Sequence, residues 1–148
     1  MEIIRRNSDY ALRALVHLGL SPGSVHSCAS IASEQEVPVE FLQKILQKFV
    51  KAGLVVSHRG VTGGFELKKP AAEVSVLEVI SLVQGPIAVN RCLLGEELCE
   101  HSQRCHIKQE WVGAQQQLVG FLRDLTVQDL VDKVREARSK QNDKEERP

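Results

Sequence analysis

Three short amphipathic stretches, a glycine-rich hairpin and then further helical stretches around a cysteine-bearing loop predict a mainly α, α+β chain. The order helix, helix, helix, hairpin within residues 1–70 is that of a winged helix-turn-helix, followed here by a long C-terminal dimerisation helix. A charge asymmetry points the same way. Residues 1–70 carry nine Lys/Arg against six Asp/Glu, whereas residues 71–148 carry ten against thirteen, so a formal net charge of zero hides a basic half and an acidic half. The basic half is the one suited to a polyanion. Three of the four cysteines fall within the loop 90–106.

The first helix is placed over 8–20, with Ser8 as its N-cap, Asp9 as a first-turn acid, and Tyr10, Leu12, Leu15, Val16, Leu18 and Leu20 at largely helical spacing. Ser21-Pro22-Gly23-Ser24 ends it. A second helix runs from Ser27 or Cys28 to Glu36 with Ile31 and Ala32 inward, and Pro38 opens a third at its first turn. In the third helix Phe41, Leu42, Ile45, Leu46 and Phe49 form the apolar stripe, with Glu40, Gln43, Lys44, Gln47, Lys48 and Lys51 on the other faces. Leu54–Ser57 and Phe65–Leu67 read as strands joined by His58-Arg59-Gly60-Val61-Thr62-Gly63-Gly64. A fourth helix spans Ser75–Gln84, and a long one Ile107–Leu125 carries Trp111, Val112, Leu118, Val119, Phe121 and Leu122. That apolar surface is economically covered by the same helix of a second chain. Thr126 with Asp129 resembles a capping box for a last helix, and the polar residues from Ser139 onward read as a disordered tail. The expected units are therefore 1–85 (DNA-binding), 86–106 (cysteine loop), 107–138 (dimerisation and C-terminal helices) and 139–148 (tail).

At 148 residues the chain holds one domain with a core and an extra helix. No apolar run approaches a membrane span and Met1–Arg6 lacks a signal-peptide core, so the expected location is cytoplasmic, where free thiols persist. No nucleotide-binding glycine pattern, catalytic triad or carboxylate pair suggests an enzyme.

The third helix stands where a recognition helix enters the major groove of double-stranded DNA. Gln43 can pair with adenine through two hydrogen bonds, and Lys44 and Lys48 can reach phosphate or guanine. Arg59 at the base of the wing suits a narrow minor groove, His58 can touch phosphate, and Gly63 and Gly64 permit positive φ and close approach to the backbone. Cys28, His17 and His26 are read as core or surface residues. The loop thiols Cys92, Cys99 and Cys105 have six and then five residues between them, which suits zinc or an iron–sulfur cluster more than a disulfide. Neither gap is that of a zinc knuckle.

From Asp9-Tyr10-Ala11-Leu12-Arg13-Ala14-Leu15, through Arg59-Gly60-Val61-Thr62-Gly63-Gly64-Phe65, to Cys92/Cys99/Cys105, the chain resembles the IscR/NsrR family of winged-helix regulators, the Rrf-two superfamily. The resemblance spans roughly 1–135. It implies a homodimeric transcription regulator on a pseudo-palindromic operator, with one 2Fe-2S or 4Fe-4S iron–sulfur cluster per subunit. One branch of the family takes a histidine three residues after the last cysteine as fourth ligand, and here that position is Lys108. His106 or His101 can substitute. Another branch uses an aspartate at the start of the first helix, contributed across the dimer, and Asp9 matches it. A weak fourth ligand suits a sensor of iron supply, nitric oxide or redox state. Metal-free thiol oxidation on the same fold, a zinc-stabilised interaction module and an electron carrier are the rivals.

Overall fold

The computed structural model describes residues 2–145, with side chains as far as residue 142. Its helices are α1 (Arg6–Leu20), α2 (Cys28–Gln35), α3 (Val39–Lys51), α4 (Val76–Gln84), α5 (Lys108–Asp124) and α6 (Val127–Glu145). The two strands are β1 (Val55–His58) and β2 (Gly64–Leu67), paired antiparallel with Val55 opposite Leu67 and His58 opposite Gly64.

Three of the helix starts follow directly from side chains that satisfy free backbone N–H groups. Ser27 Oγ accepts from the Ser30 amide at 3.1 Å and Ser75 Oγ from the Glu78 amide at 3.0 Å. At α6 the exchange is reciprocal: Thr126 N–H donates to Asp129 Oδ2 at 2.8 Å, and the Asp129 amide donates to Thr126 Oγ1 at 3.1 Å. These bonds hold the Asp129 carboxyl below its ordinary pKa. Ser8 is different. It lies inside α1, which begins at Arg6, and its fully buried hydroxyl donates to Gln84 Oε1 at 2.8 Å. A serine is drawn to a helix start by the wish for a hydrogen-bond partner, and here α4 supplies that partner instead. Pro38 occupies the cap position just ahead of α3.

The principal core gathers Ala11, Ala14, Leu15 and Leu18 of α1, Ile31 of α2, Leu42, Ile45, Leu46 and Phe49 of α3, and Leu54, Val55 and Phe65 of the wing. Phe41 is not among them. It is 50% exposed, because a stripe at i, i+1 wraps past the buried side of the helix. Val127 and Val131 of α6 complete the same core, so the last helix packs on α1 and belongs structurally to residues 1–85. The approach is close: a Cβ on Gly19 would sit 2.8 Å from Val131 Cγ2. Two backbone hydrogen bonds, Val76 N–H to Leu125 O and Val127 N–H to Val74 O, stitch this return to the start of α4.

A second cluster of Val76, Ile80, Ile87 and Leu122 fixes α5 against α4. Residues 139–145, expected to be disordered, continue α6 instead; residues 146–148 lie outside the described part. Once α6 is capped and anchored, each added residue costs only propagation, and Lys140 and Gln141 lose little side-chain freedom in a helix.

Candidate DNA-reading face and cysteine loop

Glu40, Gln43, Lys44, Gln47, Lys48 and Lys51 line one shallow concavity along the exposed side of α3. All four residues of α3 that face the core are apolar and buried, which fixes the helix about its axis and aims the polar side outward. Gln43 and Lys44 are exposed as expected. Lys48 is exposed too, but its ammonium donates to the Val83 carbonyl at 3.3 Å, at the negative end of α4.

The wing is held by a bridge absent from the sequence reading. His26, in the α1–α2 connection, exchanges both backbone hydrogen bonds with Phe65, at 2.9 and 2.8 Å. This explains Gly64, where a Cβ would lie 2.3 Å from the His26 carbonyl oxygen. Gly63 is likewise demanded by space: its backbone does not take positive φ, and a Cβ would lie 2.3 Å from His58 O. Positive φ in the hairpin falls at Gly60, +110°, and, as expected, at Gly64, +158°. Arg59 is exposed at the base of the hairpin. His58 is committed across the strands, Nε2 to Glu66 Oε2 at 2.8 Å, so it brings a carboxylate with it to any phosphate.

Behind the wing, His17 is buried, with Nε2 3.2 Å from His26 Nδ1 and Nδ1 3.4 Å from the Gln35 amide nitrogen. Burial pushes its pKa down; Glu34 opposes the shift, and His26 and Arg138 add to it. Cys28 is half-buried, its thiol pKa raised by burial, and packs against the core.

The loop after α4 folds into three single turns of 3₁₀ helix, Arg91–Leu93, Glu96–Leu98 and Ser102–Arg104. Cys92 lies in the first turn, Cys99 closes the second and Cys105 closes the third. All three thiols are free and half-buried. Among the described residues no three His, Cys, Asp or Glu side chains meet around one point as a single metal ion requires. A cluster has several irons, each needing its own thiolate, so the donor set has the right chemistry for one although it does not converge on a single centre. Lys108 holds the loop together: its Nζ is 2.6 Å from buried Ser102 Oγ and 3.3 Å from Glu96 Oε1. His101 and His106 are exposed. Asp9 is half-exposed and pairs with Arg13 at 3.0 Å.

Beside the loop, α5 buries little of its length. Trp111, Val112 and Phe121 are exposed, Phe121 at 63%, and Leu122 is its single buried side chain. Among the described residues no helix is long and apolar enough to cross a membrane.

A basic recognition helix, a wing tied to the core and a cysteine loop between two helices define a winged-helix DNA-binding transcription regulator. The chain belongs to the Rrf2 family, described as iron-dependent transcriptional regulators, whose model matches residues 4–133. It is 32% identical over 123 residues to the HTH-type transcriptional regulator IscR of Serratia proteamaculans, covering 82% of this chain and 74% of that one. With IscR of Cronobacter sakazakii the identity is 31% over 142 residues, 94% of this chain and 87% of the relative. Among solved structures, CymR, the global cysteine regulator of B. subtilis, superposes with a TM-score of 0.74 at 25% identity over 90% of this chain and 98% of that one. T. potens IscR shares the fold at a TM-score of 0.71 and 23% identity, covering 90% and 89%. The chain is a regulator and not an enzyme.

Gln84, the Lys108–Ser102–Glu96 group and the His26 bridge went unread in the sequence. Each depends on residues far apart in the chain or on a loop without periodicity, and no local signal marks them.

Proposed function

We propose that two copies of the chain, paired through the exposed apolar side of α5, grip a pseudo-palindromic operator and that an iron–sulfur cluster on Cys92, Cys99 and Cys105 of each subunit sets the strength of that grip. The observation that carries this reading is the placement of three free, half-buried thiols on consecutive turns between α4 and α5. When bound, thiolate-held iron supplies a centre that oxidants, nitric oxide or iron depletion can attack. Asp9 of the partner subunit, half-exposed in each chain, or His106 of the same chain supplies the weaker fourth donor. Gln43 and Lys44 read the major groove, and Arg59, framed by Gly63 and Gly64, follows the minor groove. Lys48 and His58 can join them by exchanging Val83 and Glu66 for phosphate.

Anaerobic purification tests the reading. The expected protein is brown, contains iron and sulfide, and changes operator affinity by about fivefold or more on losing them, measured at one stated salt concentration. A Cys92→Ser/Cys99→Ser/Cys105→Ser protein with the parent's affinity in every iron and oxidant state would refute it. A second reading, thiol oxidation without metal, is favoured by the likeness to CymR of Staphylococcus aureus, solved in an oxidized form at 27% identity and a TM-score of 0.70. A colourless protein whose affinity follows thiol oxidation would establish that alternative.

A further inference from the structure

The end of α4 carries more hydrogen bonds than a helix end needs. Gln84 Oε1 accepts from the Arg5 amide and from Ser8 Oγ, both at 2.8 Å, while Gln84 Nε2 donates to the Ile3 carbonyl at 2.8 Å. One carboxamide thus fixes the entry into α1, and Ser8 is the neighbour of Asp9. One residue earlier, the Val83 carbonyl accepts from Lys48 of α3 at 3.3 Å. The first helix and the recognition helix are therefore both bonded to the same last turn.

We propose that this last turn is the joint through which the state of the cysteine loop reaches the DNA-reading head, with Gln84 as its positioning residue. Gly85, at φ +84°, begins the loop directly after Gln84. The short segment from there to Cys92 is not slack, because Ile87 and Ala88 are buried, Ile87 between α4 and α5. A rearrangement around the thiols cannot be absorbed in that segment and is delivered to residues 83–85. A planar carboxamide that makes three bonds turns as a unit, so tilting it disturbs Ile3, Arg5 and Ser8 together. Lys48 is the second output, since an α4 end that moves releases its ammonium toward the groove-facing side of α3. The identity of the signal rests on the cluster reading above; the joint itself rests on these bonds.

The test follows amide hydrogen exchange in residues 3–8 and 43–48 of the full-length protein in a Cys28→Ala background, so that only the loop thiols react. The loop is altered in two ways: anaerobic reconstitution with iron and sulfide, and alkylation with iodoacetamide. In the parent each treatment is expected to change exchange in both segments by about fivefold or more. In Gln84→Ala the change should vanish in residues 3–8 and persist in 43–48, whose link is the Val83 carbonyl, and in Ser8→Ala, which keeps the Arg5 and Ile3 bonds to Gln84, the change in residues 3–8 should shrink. Should Gln84→Ala fail to fold, Gln84→Glu, of the same size but without the donor to Ile3, serves in its place, with the change in residues 3–8 expected to shrink. A merely structural staple would lower the melting temperature of these variants and leave the transmitted change intact, and that result overturns the proposal. So does a parent in which neither treatment moves the two segments. If iron and sulfide are not taken up but alkylation is transmitted through Gln84, the cluster reading falls and the joint stands.

Discussion

Gln43 presents its amide on the exposed side of α3, where four buried apolar residues on the opposite side leave the helix no freedom to rotate. Replacing it with Ala is expected to cost about 1–3 kcal/mol of operator binding and to relax preference at one base position, not at all of them. Titrations against single-base operator variants check this; a uniform loss across sequences would assign Gln43 to the phosphates. His17 gives a second prediction at this scale. Its buried ring has a lowered pKa, so on acidification the unfolded chain takes up the proton first. The stabilisation is present above the unfolded value of about 6.5 and is lost as pH falls through that value toward the folded one. Urea midpoints should therefore drop on going from about pH 7.5 to 5, and His17→Gln should flatten part of that slope. The exposure of Gln43 and Lys44, the residues proposed to read DNA, was legible in the sequence because helix periodicity alone assigns them to the polar side. The engagements of Lys48 with Val83 and of His58 with Glu66 were not, since a charged side chain's partner is set by the tertiary fold.

At the scale of elements, α5 divides its surface between two tasks. Leu122 is buried against α4, while Trp111, Val112 and Phe121 face outward. Phe121→Asp places a charge on the most exposed apolar residue of α5, toward its C-terminal end, and leaves Leu122 untouched. On the proposed pairing, sedimentation should then show a monomer at concentrations where the parent sediments as a dimer, with the circular dichroism spectrum retained. An unchanged dimer would move the contact elsewhere. Both strands and the first five helices lay in the sequence within a few residues of where they stand, and α6 began where expected but ran past residue 138, because apolar spacing and the Ser27, Ser75 and Thr126 caps are local signals. The start of α1 was misplaced because Ser8 finds its partner on α4, far along the chain. The cysteine loop offered no periodicity, so its three turns and the Lys108 tie came only with the fold.

For the molecule as a whole, the division into consecutive units along the chain is not the division in space. The reading head is assembled from both ends, with α6 closing the core that α1 opens. A fragment ending at residue 106 would leave Leu15, Leu18 and their neighbours facing water where Val127 and Val131 belong. It is expected to be recovered as aggregate or as a loosely packed species with rapid amide exchange, whereas the full chain gives protected amides in α1. The close seat of Gly19 under Val131 makes this closure sterically selective as well. Its consequence reaches beyond stability. Recombination that grafts one relative's front end onto another's rear joins two half-cores shaped by separate histories, so working chimaeras should be those that exchange the first and last helices as a matched set.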